Sequence, residues 1–547
     1  MPSKYLKKWE ETRPWLKPGD TPEYANCTAC KKQFRVDGSG ICQVTSHTNS
    51  DTHKRAVPSK SQTLLQILPT GQVSHTGAGA APEALSDKMQ ALKAEVIDVM
   101  YKAQYNYSFS SAQGDGDRYR LMFPGHPAAE NYSCSSTKSA YMLQYGIGEI
   151  LKEDLKKDMQ CVPYTFKFDE TTTSQVKKQY DGYICYWSPS YDQVVNMYAG
   201  SLFVGHCPAK ELVRHFYEMT VPLSLDGEHL LHIGKDGPNV NLKFEEDLCD
   251  ELYEKEETTI LNLGSCSLHP VHTAFKKGLQ ELDFGFESFF NDISFFFKLS
   301  AARREDYSEV AMVTGIAAEF AKKFGATRWL CMKKVGVRCL EQWKNLIQYF
   351  MKFLPTTSTF KYTIQGTNRY IRIKDILQKS TSEAYLAFMC FSNQDFESFL
   401  RRFQYEQPMI HMLYPAMVDM IRSIMVKFVR KKYLTKEDGS PKSDEDILAI
   451  DPLQSSICKP LSSIDVGTRA KLFLSDSTLF PSEASTKFRQ ECLRFFQVST
   501  RYLLDNLPHK KKFIKHAQYL HHEKRNSSGA MSAISNMTSS ILQVLIL

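Results

Sequence analysis

The sequence lacks both a secretory leader and a long hydrophobic segment. Its first 17 residues are polar and include Trp9 and Trp15. No run approaches the roughly 18 apolar residues that a membrane-spanning helix needs. These absences argue against a secreted protein and against a membrane protein. We expect an intracellular chain with no membrane partner.

A regular cysteine pattern is also missing. The 14 cysteines are scattered through 547 residues, so we interpret them as thiols and metal ligands and not as a disulfide framework. Hydrophobic residues make up 42% of the chain and charged residues 24%, which argues against a wholly disordered protein. The length exceeds what one hydrophobic core serves and indicates roughly two to four domains.

The formal net charge is +7, and the basic excess is concentrated in two segments. Residues 1–60 contain 11 Lys and Arg against 6 Asp and Glu, and residues 487–525 contain 10 against 3. The second segment includes Lys510, Lys511 and Lys512. Such clusters suit a polyanion such as DNA. A solvated helix face or a nuclear-import tract gives the same pattern and is the alternative.

Metal-ligating residues form a pattern near the start of the chain. Cys27, Cys30, His47 and His53 follow the spacing C-x2-C-x16-H-x5-H. Two thiolates on a tight turn and two imidazoles on a following helix can complete a tetrahedral zinc site, and a segment this short needs a metal to fold. The alternatives are a chance spacing and replacement of one ligand by Cys42.

Basic and aromatic residues surround this pattern. The candidate DNA contacts are Lys31, Lys32, Lys54 and Arg55. The aromatic residues that can cover the metal are Tyr5, Trp9 and Trp15. This combination is typical of a small zinc module that binds nucleic acid.

Residues 164–206 predict a meander of three antiparallel strands, because apolar residues alternate and turn residues interrupt them at 180–182 and 188–190. Asp169 ends the first strand, where its carboxylate can reach a metal ion. Capping of a turn is the alternative role for this aspartate.

A second aspartate follows a second short apolar run. Residues 229–233 predict a strand, and Asp236 lies between this strand and a helix that begins near Pro238. The alternative role of Asp236 is to cap that helix. A further strand is predicted at 259–263. It is followed by Cys266 and His269 in a C-x-x-H pattern that opens another helix.

In this order, the motifs resemble those of DNA transposases of the hAT superfamily and of genes derived from them. The resemblance covers most of the chain and joins Asp169, a D-x-x-N-like turn at 236–239, the C-x-x-H pair, and the dipeptide Arg328-Trp329 ahead of a helical region. Each motif is weak alone, and their order makes the resemblance specific. The N-terminal pattern resembles a BED-type zinc finger, the usual DNA-binding module of hAT proteins.

The resemblance implies a multidomain α+β protein with a small zinc finger, an RNase H-like mixed α/β domain and a long all-helical insertion. The expected boundaries are 1–57 for the BED-like finger, 58–84 for a linker, 85–160 for a helical segment, 161–330 for the RNase H-like domain, 331–525 for the insertion and 526–547 for a tail. Amphipathic patterns interrupted by prolines between 330 and 506 agree with the helical insertion.

The family's chemistry uses carboxylates that converge on two divalent ions about 3.5 to 4 Å apart. The resemblance assigns Asp169 and Asp236 to two of three expected carboxylates, with Mg²⁺ or Mn²⁺ required only if the protein is catalytic. It gives Cys266 and His269 a structural role near the site.

The same resemblance implies that Arg328 binds a phosphate and that Trp329 stacks on an extruded base. An ordinary core tryptophan is the alternative for Trp329.

The chain departs from the family after the helical region, where a third carboxylate is expected on a helix within a hydrophobic dimerisation segment. After Arg489 the only glutamates are Glu491 and Glu523, and neither has the expected setting. We therefore expect a nuclear protein that holds Zn²⁺ in its finger, binds double-stranded DNA and does not cleave it, with self-association left open. The alternatives are a nuclease or transposase whose third acid is Glu483, Glu491 or Glu523, and an interaction scaffold that binds no nucleic acid.

Overall fold

The computed structural model describes residues 4–10, 13, 15–28, 30–38, 40–50, 53, 86–173, 175–205, 207–320, 332–404, 408–476 and 480–546. The chain divides into two compact units, Met1–Asp154 and Leu155–Leu547. The protein is multidomain and of mixed α and β structure, as the sequence predicts, and helices predominate among the described residues.

The first unit begins with a small antiparallel sheet and one helix. The elements are β1 (Leu16–Pro18), β2 (Tyr24–Cys27), β3 (Lys32–Arg35) and α1 (Ile41–Asn49). Strand β2 lies in the centre and pairs with both neighbours. Five side chains form the buried core: Trp9, Leu16, Ala25, Val36 and Val44. A core this small provides little stability by itself.

The remainder of the first unit is helical. Its elements are α2 (Asp87–Gln104), α3 (Asp115–Met122), α4 (Pro127–Glu130) and α5 (Ser136–Tyr141). A π-helical turn over Met142–Ile147 then leads into α6 (Gly148–Asp158), whose last residues belong to the second unit. The segment predicted to be helical, 85–160, is therefore mainly helical, with a π turn before its last helix. A buried ammonium, Lys102, contacts Asp98 and Asp115 between α2 and α3.

The second unit contains a four-stranded sheet. Its strands are β4 (Tyr164–Thr172), β5 (Lys178–Ser188), β6 (Gln193–Val204) and β7 (Leu230–Gly234), in the order β6-β5-β4-β7. The first three strands are antiparallel, and β7 runs parallel to β4. The apolar face of the sheet packs with α7 (Ala209–Thr220) and α8 (Asn239–Glu256) in one core.

Side chains of β4 alternate between the two faces of the sheet. Tyr164, Phe166 and Phe168 are buried in the core with α7 and α8. Because successive residues of a strand point to opposite faces, Lys167 and Asp169 lie on the other face. This alternation therefore places Lys167 and Asp169 on the same face of β4, opposite the core.

The predicted turn at 180–182 is wrong, since these residues lie in the middle of β5. A Cβ on Gly182 would lie 2.4 Å from the sulfur of Met219, so the glycine permits close packing of α7 on the sheet. The chain turns instead between β4 and β5, where Thr173 N–H donates to the Lys177 carbonyl. The predicted strand at 259–263 is also wrong: the segment forms no strand, although Leu261 N–H donates to the Leu231 carbonyl at 2.8 Å.

The rest of the second unit is a large helical body. Its α-helices are α9 (Leu268–Leu279), α10 (Phe286–Lys298), α11 (Ala301–Thr314), α12 (Met332–Glu341), α13 (Trp343–Ile347), α14 (Phe360–Thr363), α15 (Asn368–Gln378), α16 (Ser382–Phe403), α17 (Ile410–Phe428), α18 (Asp444–Leu448), α19 (Thr468–Ser475), α20 (Ser482–Asn506) and α21 (Lys512–Ala517). One hydrophobic core runs from Val271 to Ile514. The helical body therefore begins with α9, ahead of the predicted boundary at 330.

The segment predicted as a tail contains a helix, α22 (Ala530–Ile546), which contacts β7 and α21. Within the described ranges, no helix is both long enough and apolar enough to cross a membrane. No disulfide forms among the cysteines that the structure describes.

Candidate functional site

Four predicted ligands converge in the first unit. The sulfur of Cys27 lies 3.2 Å from His53 Nδ1, and the sulfur of Cys30 lies 3.3 Å from His47 Nε2. The two imidazole nitrogens are 3.2 Å apart. A zinc ion with ordinary bond lengths has ligand atoms about 3.3 to 3.8 Å from one another, so the four donors fit a tetrahedral ion.

Local structure explains this convergence. Cys27 ends β2 and Cys30 follows in the turn to β3, where Cys30 N–H donates to the sulfur of Cys27 at 3.4 Å. His47 lies in the last turn of α1. The same four residues form a group that can hold a metal, compatible with Zn²⁺. The alternative ligand, Cys42, is exposed on α1 and lies outside the group.

Aromatic rings enclose the two histidines. The Phe34 ring stacks on His47 with centroids 4.0 Å apart, and the Trp15 ring lies 4.2 Å from that of His53. Burial lowers the pKa of both histidines, which favours the neutral imidazole that binds metal. Trp15 thus covers the cluster as predicted, whereas Tyr5 and Trp9 pack against each other in the small core.

The predicted DNA contacts of the finger are only partly described. Lys31 and Lys32 are exposed between Cys30 and β3. Lys54 and Arg55 lie outside the described residues, as do Arg328 and Trp329.

The second unit has an open cleft of about 1060 Å³ at the end of the sheet where β4 and β7 finish. It is lined by residues 167–171, 234–236 and 263–269, with Ile410 and Pro508 from the helical body. Because β4 and β7 are adjacent and parallel, their carboxyl ends meet at one edge. Asp169 and Asp236 both line the cleft. The prediction that Asp169 ends its strand is wrong, because β4 continues to Thr172 and pairs Asp169 with Asp181.

Asp236, Cys266 and His269 form a second group of donors. Their ligand atoms lie within 4.8 Å of one another, and His269 Nδ1 is 2.9 Å from a carboxylate oxygen of Asp236. Hydrogen bonds with Asp236 and Cys266 raise the pKa of His269 to about 10. In the absence of a metal, the imidazolium therefore balances the charge of Asp236.

Partial burial and the negative charges of Asp236 and Asp181 raise the pKa of Asp169. Asp181 lies directly opposite Asp169 on β5, where it accepts hydrogen bonds from Gln179 and Ser201. Glu170 also lines the cleft, although it lies on the opposite face of β4 from Asp169 and its carboxylate contacts Lys178 at 3.1 Å. The cleft carboxylates whose charges act on each other are Asp169 and Asp236.

A buried ion pair anchors the chain beside Asp236. Lys235 Nζ lies 2.6 Å from Glu245 on α8, and the lysine side chain has 0% exposure. The next loop is held to the same segment, because Cys266 N–H donates to the Lys235 carbonyl at 2.8 Å. The positions of the cleft residues are therefore set by tertiary contacts.

The three glutamates considered as a third acid lie elsewhere. Glu491 accepts hydrogen bonds from Asp283 N–H and from the Tyr385 hydroxyl. Glu483 is exposed in the first turn of α20, and Glu523 is exposed beside two histidines. None of the three lines the cleft as the described residues define it.

The basic segment at 510–512 lies beside the cleft. Pro508 and Ile514, on either side of it, line the cleft, and Lys511 Nζ donates to Asn262 at 2.8 Å. Lys510 and Lys512 are exposed. Positive charge therefore flanks the opening.

Several site features escaped prediction from the sequence. Phe34 and Asp181 lie on strands whose pairing places them against the site, and the Lys235–Glu245 pair joins a strand end to a helix. The alternation of side chains along β5 was the available signal for Asp181. Asp181 pairs with Asp169, and directly opposed residues of neighbouring strands lie on the same face of a sheet.

A scan against protein-family models finds no match, and a search of curated proteins finds no similar chain.

Proposed function

We propose that this chain is a nuclear, transposase-derived protein of the hAT type that binds double-stranded DNA through a BED-like zinc finger and has no DNA-cleaving activity. The observation that carries the proposal is the Cys27, Cys30, His47 and His53 cluster, whose donor atoms have the spacing of a zinc site. The order of the sequence motifs supports the family assignment.

An RNase H-like domain followed by a helical insertion is part of this proposal. The supporting features are the antiparallel β4-β5-β6 meander, the parallel fourth strand β7, and two aspartates in one cleft, Asp169 within β4 and Asp236 just after β7. The large helical body that follows agrees with an insertion.

DNA binding is supported by the distribution of positive charge. Lys31 and Lys32 project from the finger, whereas α1 has no lysine or arginine and exposes Thr45 and Ser46. Lysines contact phosphates, and small polar side chains on a helix can read base edges. A second basic surface, Lys510–Lys512, flanks the cleft.

The test is the salt dependence of duplex DNA binding by the full chain. Each phosphate contact contributes about 0.9 to the slope of log affinity against log salt. We expect the double variant Lys31→Ala/Lys32→Ala to bind more weakly and to reduce the slope by about 2. The double variant Lys510→Ala/Lys512→Ala should act similarly if the cleft surface also contacts DNA.

The matched control is Lys243→Ala. This lysine is equally exposed but is already paired with Glu246 and Asp247, so its loss should leave DNA affinity unchanged. Wild-type binding that is absent at low salt, or that does not respond to salt, contradicts the proposal and favours an interaction scaffold.

Loss of cleavage rests on the ligands available in the cleft. A pair of Mg²⁺ or Mn²⁺ ions requires several oxygen ligands in near-octahedral geometry, and Asp169 and Asp236 are too few to hold both ions. We expect no nicking or hairpin formation with either metal. Cleavage by the wild type that Asp169→Asn and Asp236→Asn both abolish would instead establish an active nuclease.

A further inference from the structure

The cleft contains three potential metal ligands of different chemistry, in addition to the pair of aspartates Asp169 and Asp236. Asp236 contributes an oxygen, Cys266 a sulfur and His269 a nitrogen, all within 4.8 Å of one another. The C-x-x-H spacing alone offers two ligands, and the fold adds the third from a residue thirty positions earlier in the chain.

The backbone holds these three donors in place. Asp236 follows β7, and Cys266 lies in the loop that is hydrogen-bonded to the carbonyl of Lys235 at 2.8 Å. His269 is in the first turn of α9, three residues after Cys266. The two loops approach closely, since a Cβ on Gly237 would lie 3.3 Å from the Ser265 hydroxyl. Two loops joined by a backbone hydrogen bond, together with the first turn of α9, thus hold the three donors.

The chemistry of the donors selects the kind of ion. Mg²⁺ prefers oxygen ligands and regular octahedral geometry, whereas thiolate and imidazole ligands suit Zn²⁺ and related transition-metal ions. Three protein ligands with a free fourth position is the arrangement of zinc sites that bind water or an added ligand.

We propose that Asp236, Cys266 and His269 bind one divalent transition-metal ion of the Zn²⁺ class, with an open coordination position that faces the cleft. Asp236 and His269 donor atoms are now 2.9 Å apart, and an opening of about 0.4 Å brings them to the separation of two ligands on one zinc ion. The His269 side chain is 61% exposed, so an ion has direct access.

The location gives the site a possible ligand. Asp169 lines the same cleft and can accept a hydrogen bond from a water on the open position. The exposed lysines 510 and 512 favour an anionic ligand near the opening. This metal site does not depend on the proposed DNA-binding function, because neither the finger nor duplex DNA takes part in it.

The experiment measures metal per chain in the purified full-length protein after dialysis. Wild type should retain about two zinc ions, one in the finger and one in the cleft. The variant Cys266→Ser/His269→Ala should retain about one, and Cys27→Ser/Cys30→Ser should also retain about one, now in the cleft. The control Cys249→Ser removes a half-buried thiol outside both groups and should not change the count.

Cobalt replaces zinc as the spectroscopic probe. In the Cys27→Ser/Cys30→Ser background, added Co²⁺ should give a thiolate charge-transfer band that Cys266→Ser removes, and excess Mg²⁺ should not displace the ion. If the finger variant fails to fold, the same comparison is made between wild type and Cys266→Ser/His269→Ala with the finger intact. Equal metal content in these two proteins overturns the proposal.

Discussion

The two clusters of metal-ligating side chains differ in how they are closed. In the finger, four donors surround one point, and the rings of Trp15 and Phe34 cover two of them. In the cleft, three donors leave one side open, and His269 is mostly exposed. A closed set of four ligands suits a structural ion, and an open set of three suits an ion that binds something else.

The clusters also differ in what supports them. The described residues of the finger include a core of only five buried side chains, so we predict that its fold depends on a bound metal. The cleft donors are attached to β7 and α9, which belong to two large hydrophobic cores. We therefore predict that the ligands organise the finger, whereas packing organises the cleft.

Removal of metal should produce the largest difference between the two regions. A structural zinc contributes about 10 to 16 kcal/mol of binding free energy that is coupled to folding. We expect a chelator to expose residues 15–50 to hydrogen exchange while β4 to β7 remain protected. Exchange mass spectrometry on the full chain, with and without chelator, measures both regions at once. Equal protection of the finger in both samples would show that it folds without metal.

The buried ion pair beside the cleft should give the next largest effect. Glu245→Gln leaves the Lys235 ammonium without its carboxylate in a fully buried position. Breaking such a pair from one side costs about 3 to 5 kcal/mol. Urea unfolding should show this loss, and exchange should increase in β7 and α8.

The control for this prediction is the neighbouring residue. Glu246→Gln removes only a contact with the exposed Lys243 and should leave stability unchanged. If both variants unfold alike, the ion pair does not anchor the strand end.

A pH effect should follow from His232. Burial lowers the pKa of His232 to about 4, and its Nδ1–H donates to the Leu261 carbonyl. Above pH 6.5 the residue is neutral in both folded and unfolded chains. Between pH 6.5 and about 4 only the unfolded chain takes up the proton, so the free energy of unfolding falls by about 3 kcal/mol.

The variant His232→Asn keeps a donor for the Leu261 carbonyl and loses the titrating group. Its stability should decline less than that of wild type over this pH interval, as measured by urea unfolding at several pH values. His229→Gln, which changes the histidine that pairs with Asp226 three positions earlier, is the control. Parallel pH profiles for wild type and His232→Asn would exclude this account.

The smallest effect is expected at Cys42. This thiol is exposed and lies outside the four-donor group. Cys42→Ser should retain the zinc of the finger and change stability by less than about 0.5 kcal/mol. Lower metal content in this variant would mean that Cys42 serves as a ligand.

The sequence predicted local features well. The Cys27, Cys30, His47 and His53 pattern identified the finger cluster, because its ligands lie within one short segment with a metal-binding spacing. The positions of Asp169 and Asp236 beside two predicted strands identified them as neighbours in the cleft, although β4 continues past Asp169 to Thr172.

Two local predictions failed for a tertiary reason. The turn at 180–182 was predicted because the segment contains Gly182. In the structure this glycine lies inside β5, where the lack of a side chain lets Met219 pack on the sheet. The strand at 259–263 has suitable residues but forms only sparse backbone hydrogen bonds with β7 and its following residues. The β-propensity of a segment does not show whether a neighbouring strand is placed to pair with it.

The sequence by itself therefore determined the four residues of the finger cluster, the two aspartates that line the cleft, and the helical character of the region after residue 330. The tertiary structure decided that Asp236 joins Cys266 and His269, that Lys235 is neutralised by Glu245, and that Lys511 lies beside the cleft. The physical reason is the distance along the chain. Periodicity and spacing describe contacts within a segment, whereas these contacts form only when separate segments pack together.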